Sequence, residues 1–135
     1  MNDARGILDT STVIALGDVR DPGTLPAEAM ISSITLAELS VGPLVAARAD
    51  QRAARQRHLQ QAEADFPVVP FDADAARAFG SVAASLRASG RKTAARAYDA
   101  LIAAAALSRG IPLYTCNPGD FEGIEGLDVR TVPLA

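Results

Sequence analysis

Four carboxylates occupy positions where chemistry is a reading to weigh beside an ordinary structural one. Asp9 ends the apolar run Gly6-Ile7-Leu8. A strand through that run delivers Asp9 to a carboxyl-terminal sheet edge, where open parallel sheets bind ligands, although the same position also suits a helix N-cap. Glu38 has Ile34 four residues before it and Val41 three after, so its helix face is otherwise apolar; a solvated surface glutamate is the alternative. Asp99 shares a helix face with Arg96, Ile102, Ala103 and Ala106. An acid in a first helical turn complements the helix dipole, yet one aimed along an apolar stripe loses hydration and needs a partner or a metal. Asp120 lies in the turn Thr115-Cys116-Asn117-Pro118-Gly119-Asp120-Phe121, where Asx residues are also common for purely local reasons. Carboxylates that converge raise one another's pKa unless a cation sits among them. An oxygen-only ligand set suits Mg2+ or Mn2+, the ions that activate water and neutralise phosphate charge in phosphodiester cleavage.

The elements that must position these acids alternate along the chain. Short apolar strands are expected at residues 6–9, 29–32, 66–70, 111–115 and 127–132. A first helix passes through Val13, Ile14 and Leu16, with Thr10, Ser11 and Thr12 as candidate caps. A second, capped by Ser33, is stopped by Gly42-Pro43; a long Ala/Arg/Gln-rich helix covers 44–64. A helix capped by Asp72 carries Ala75, Phe79, Val82, Ala83 and Leu86 at helical spacing and ends at Gly90, and another runs from about Ala94 to Arg109. Such alternation predicts an α/β sandwich, a parallel sheet of about five short strands with helices on both faces, forming one domain over 1–135.

Composition removes several function classes. Thirteen Lys and Arg against sixteen Asp and Glu leave a net charge of −3, which argues against a generic basic coat. Aromatics are 4% with no Trp, so stacking platforms are not the main recognition device. The single cysteine, Cys116, excludes an internal disulfide and a thiolate zinc cluster. No apolar run approaches the roughly 18 residues of a membrane span, and the N-terminus lacks the look of a signal peptide, so a cytoplasmic protein is expected. No Walker-type phosphate cradle is present.

Asp9-Thr10-Ser11, the segment Ile31-Ser32-Ser33-Ile34-Thr35-Leu36-Ala37-Glu38-Leu39 with Gly42, the run Tyr98-Asp99-Ala100-Leu101-Ile102-Ala103-Ala104, and Leu113 through Phe121 together resemble a PIN-domain ribonuclease, in particular the VapC-type toxin of bacterial toxin–antitoxin pairs. Each motif is weak alone; the ordered set, spanning nearly the whole chain, is specific. The resemblance implies a PIN-like fold and a Mg2+-dependent endoribonuclease acting on RNA such as tRNA or rRNA. It further implies a homodimer and a small VapB-type antitoxin that blocks the active site. Asp9, Glu38 and Asp99 match the metal-binding acids, and Asp120 completes the set. Ser11 and Thr115 match small hydroxyl residues that hydrogen-bond to those acids. Related proteins place the fourth acid at the position of Asn117 or of Asp120; the uncharged Asn117 is here assigned an outer position. Cys116 stands where many relatives carry Arg.

Arg87, Arg91, Lys92 and Arg96 surround Gly90 and form a candidate basic rim for RNA phosphates, or else the solvated end of a helix. Arg48, Arg52, Arg55 and Arg57, interrupted by Asp50, read as a solvated face or a partner contact. His58 lies on the same polar helix without a matched nucleophile or metal-ligand companion. A different class remains in view, a non-catalytic α/β module in which the acids are caps and the chain binds a protein. A phospho-receiver is set aside because the only Lys, Lys92, precedes a helix.

Overall fold

The computed structural model describes residues 4–92 and 96–135. Its elements are β1 (Arg5–Leu8), α1 (Thr10–Ile14), β2 (Glu28–Ser32), α2 (Ser33–Val41), α3 (Ala49–Asp65), β3 (Val68–Val69), α4 (Ala73–Ala88), α5 (Ala97–Arg109), β4 (Leu113–Thr115) and β5 (Val129–Thr131), with short 3-10 turns between several of them. The strands form one sheet in the order β3-β2-β1-β4-β5, every pair parallel. The expectation of about five short parallel strands therefore holds. β1 lies at the centre, and the chain winds outward from it in both directions. The topological switch point thus falls between β1 and β4, beside Leu8 and its register partner Tyr114.

Alternation along the central strand divides the core in two. Ile7 faces one side, where α4 and α5 pack with Val82, Leu86, Ile102, Leu113 and Phe121; Leu8 faces the other, with Val13, Ile31, Leu39, Ala62, Tyr114 and Val132. Alanines at 103–106 are all fully buried, so α5 lies close to its neighbours with little side-chain bulk between them. Gly110, at φ 63°, caps α5 in the left-handed conformation that glycine adopts without steric cost. Gly6 has no side chain because the Tyr114 ring lies against it.

Several boundaries differ from expectation. The helix expected over 44–64 begins only at Ala49: Pro43 opens a 3-10 turn over Gly42–Val45, and the chain becomes extended at Ala46 before α3 starts. Asp9, not the three hydroxyl residues after it, caps α1, and Leu16 opens a separate 3-10 turn. Ser32 caps α2 by accepting from the Ile34 N–H; the Ser33 hydroxyl instead accepts from the Phe71 N–H at 3.1 Å. The third strand shrinks to Val68–Val69 between its prolines. Ala94, the expected start of the last helix, lies outside the described residues.

A candidate active site at the carboxyl edge of the sheet

Asp9 is only 2% exposed. Its carboxylate is held by four donors. Oδ1 accepts from the Thr12 N–H at 3.0 Å and from the Thr12 hydroxyl, while Oδ2 accepts from Ser11 Oγ at 2.9 Å and Thr115 Oγ1 at 2.7 Å. Each hydroxyl is itself oriented by an N–H that occupies its lone pairs. Cys116 N–H donates to Thr12 Oγ1 at 3.0 Å, Asn117 N–H to Thr115 Oγ1 at 2.9 Å, and Asn117 Nδ2 to Ser11 Oγ at 3.1 Å. The protons therefore point at Asp9, which explains how a buried charge is tolerated at the end of the central strand. The scaffold comes from Thr115, the last residue of β4, and from the two residues that follow it, so the switch point builds it from two adjacent strands. Asp9 is at once a helix cap and a candidate site residue.

Glu38 projects from α2, half-buried, and accepts from Thr10 Oγ1 at 2.7 Å. Thr10 Oγ1 also lies 2.9 Å from Thr35 Oγ1. The single Thr10 proton goes to Glu38, so Thr35 donates to Thr10. Asp120 sits in the 3-10 turn Pro118–Phe121, where Arg96 Nη1 reaches its backbone oxygen at 3.1 Å and its Oδ1 at 3.4 Å.

Asp99, in the first turn of α5, is where the four acids meet electrostatically. Burial first, then the charges of Asp120, Asp9 and Glu38 in that order, push its carboxyl from 3.8 up to about 6; Arg96 opposes them. Helix position alone would act the other way, so desolvation and like charge outweigh the dipole. The other three acids of the sequence reading thus lie within electrostatic range of Asp99. Among the described residues, however, no three His, Cys, Asp or Glu side chains are grouped as they would be around one ion. The side-chain contacts give the reason. Asp9 is saturated by donors, Glu38 leans on Thr10 and Asp120 on Arg96. The donor set nevertheless fits a hard cation, being oxygen-only and carrying like charge that helps hold Asp99 well above its ordinary value.

The candidate basic rim divides. Arg91 pairs with Glu122 at 2.8 Å and, like Arg96, braces the turn carrying Asp120, whereas Arg87 and Lys92 are exposed. Thr10, Thr12 and Thr35 hold the candidate acids or one another, a role that sequence reasoning misses; the run of three hydroxyl residues after Asp9 is the available signal. A cavity of about 600 Å3 lies at the opposite, amino-terminal edge of the sheet, lined by residues such as Arg5, Ile111 and Leu127. It is remote from the acids and takes no part in their chemistry.

An all-parallel α/β sandwich with an acid at the end of its central strand and others on two helices and a turn, their charges acting on Asp99, defines a class. A family model described as the PIN domain matches residues 7–126, and the chain belongs to that family. It is 41% identical over 125 residues to ribonuclease VapC5 of Mycobacterium tuberculosis, covering 91% of this chain and 90% of that protein. Ribonuclease VapC1 of Rickettsia felis is 31% identical over 129 residues, with 93% and 95% covered. The crystal structure of VapBC-5, a member of the VapBC family of toxin–antitoxin systems from Mycobacterium tuberculosis, matches with a TM-score of 0.82 at 39% identity, over 97% of this chain and 99% of that one. The fold is thus the PIN-like three-layer sandwich.

Proposed function

We propose that this chain is a single-domain endoribonuclease toxin that cleaves RNA phosphodiester bonds with Mg2+, or Mn2+ in its place. In this reading it acts in the cytoplasm as a homodimer, on tRNA or rRNA, and is restrained by a VapB-type antitoxin. The observation that carries the reading is the buried Asp9 carboxylate held by oriented donors at the carboxyl edge of the sheet, with Glu38, Asp99 and Asp120 on neighbouring elements and their charges raising the Asp99 carboxyl. The relatives named ribonuclease VapC support the RNA substrate, and the VapBC complex supports the antitoxin. Val41, Leu44 and Val45, all more than half exposed, form an apolar ridge that also favours a protein partner. Among the described residues no helix is long and apolar enough to cross a membrane.

Asp9, Glu38, Asp99 and Asp120 would hold the cation. The ion supplies the positive charge that activates water and neutralises charge developing on the phosphate and leaving oxygen. The chain's own residues prepare that arrangement. Thr12 and Thr115 hold Asp9 in one orientation, while Ser11, half-buried and already bonded to Asn117, is the donor that yields an Asp9 lone pair. Asn117 thus serves in an outer position. Thr10 orients Glu38 so that one oxygen stays available. Arg96 holds Asp120 and its turn beside Asp99, and Arg91 secures the same turn from its far side. Arg87 and Lys92, exposed at the end of α4 and beyond, would meet RNA backbone phosphates, with Arg91 and Arg96 adding positive charge.

The test is cleavage of a mixed pool of small structured RNAs by antitoxin-free protein with Mg2+ or Mn2+, with EDTA, and by Asp99→Asn. Discrete products lost with both EDTA and the substitution are expected. Products that survive the substitution would refute the proposal.

A further inference from the structure

Residues of α1, α2 and α3, Glu38 among them, together with Gly42, line a half-open pocket of about 190 Å3. Ile14 and Leu39 supply its apolar surface, Thr10 and Glu38 one polar wall, Arg55 and His58 the other. Its volume lies below the 300–1,000 Å3 of sites for drug-sized ligands, the scale of one ring system.

Arg55 is built into this wall rather than left to solvent. Its stem lies on Gly42, where an added Cβ would stand 3.3 Å from Arg55 Cδ and 3.4 Å from its Cβ. Its Nη1 donates to the Gly42 carbonyl at 3.0 Å. That bond uses the end of the guanidinium that cannot make the side-on fork. The Nε–Nη2 edge, whose two N–H groups run parallel, has no partner among the described residues. His58, one turn further along α3 and half-buried, likewise makes no hydrogen bond among them.

We propose that this pocket receives a nucleobase of the RNA next to the scissile phosphate and prefers guanine. The inference deepens the ribonuclease reading and rests on it for the source of the base. An apolar surface suits the faces of a base, and the free edge of Arg55 matches the paired O6 and N7 acceptors that only guanine presents together. Adenine offers N7 beside an N6 donor, which meets the same edge with one repulsive contact, and uracil has no two adjacent acceptors; cytosine pairs O2 with N3, but its single ring covers less of the apolar surface than a purine does. His58 borders the bound ring and senses it.

Because His58 is the only histidine, its ring resonances report this pocket without ambiguity. The experiment follows them by NMR in metal-free full-length protein at constant pH, titrated separately with 5′-GMP, AMP, CMP and UMP; the shared phosphate cancels in the comparison. GMP is expected to saturate the His58 shifts at about one-tenth of the concentration the other three require, the scale of one bidentate base contact. Arg55→Lys, which keeps the charge but loses the fork, should erase that difference, and Arg55→Gln should do the same if the lysine variant folds poorly. Equal response to all four nucleotides, no response, or an unchanged GMP preference in both variants overturns the proposal. So does saturation by N-acetyl-leucinamide with the nucleotides inert, which would assign the pocket to a protein side chain. Guanine binding without any metal-dependent RNA cleavage would sink the ribonuclease reading and leave the pocket standing; cleavage without guanine preference would do the reverse.

Discussion

Replacing Asp99 by asparagine should make the metal-free protein more stable at neutral pH while removing its activity. The Asp99 carboxyl is held at about 6 against an ordinary 3.8 by burial and by Asp120, Asp9 and Glu38. Between those values the folded chain binds more protons than the unfolded one, so stability falls as pH rises from about 4 through 6. The stabilising effect of the protonated form is complete below the unfolded value and gone above the folded one. At 1.36 kcal/mol per pH unit the difference corresponds to about 3 kcal/mol. The site is half open to water, and screening reduces this to about 1–2 kcal/mol. The substituted amide carries no charge at any pH, so Asp99→Asn should exceed wild type by that amount at pH 7.5 in EDTA and match it near pH 4. For a chain of this length the gain corresponds to roughly 3–8 °C in Tm. Urea unfolding at the two pH values measures it directly. Adding Mg2+ should raise wild type toward the variant and leave the variant unmoved. A variant less stable than wild type at pH 7.5 would show that Asp99 is not held against like charge, and the acids would not converge as described.

The hydroxyl scaffold of Asp9 makes three further predictions. Thr115→Val strips a buried donor from Asp9 Oδ2 and an acceptor from Asn117 N–H, so it should cost about 1–3 kcal/mol in urea unfolding; Ser11→Ala, at a half-buried site, should cost less than about 1 kcal/mol. Asp9→Asn confronts oriented hydroxyl protons with an amide donor and should lower the urea midpoint by the equivalent of about 2 kcal/mol, with RNA cleavage abolished in the same preparation.

Much of this architecture is legible because parallel strands read as short apolar runs. Ile7-Leu8 and Leu113-Tyr114 announce buried strands, and an acid directly after the first must stand at the ligand-binding edge. Asp99 is legible for the same reason, an acid facing Ile102 and Ala103. Local competition hides the rest. Asp9 out-competes Thr10, Ser11 and Thr12 for the cap because its two carboxylate oxygens accept from the Thr12 N–H and from three hydroxyls at once, more than a single hydroxyl oxygen can. The break between Val45 and Ala49 is masked by the helix-forming Ala46 and Ala47 within it and Ala49, Ala53 and Ala54 after it, although Pro43 marks the start of the irregular stretch. Thr35 and Thr10 meet only across 25 residues of chain, a contact that no periodicity encodes. Arg91 and Arg96 read as free cations in sequence, yet both are engaged by the turn around Asp120, a consequence of how α5 docks against it.

The acids at the α1 cap, on α2, on α5 and in the turn after β4 form one cation site in this account. Titration of Mn2+ into the metal-free protein at pH 7.5, followed by its electron paramagnetic resonance signal, tests that most directly. Saturable binding is expected in wild type, weakened at least tenfold in Asp99→Asn and in Asp120→Asn, and changed less than threefold in Asn117→Ala. Binding of equal strength in wild type and both acid variants would contradict the account.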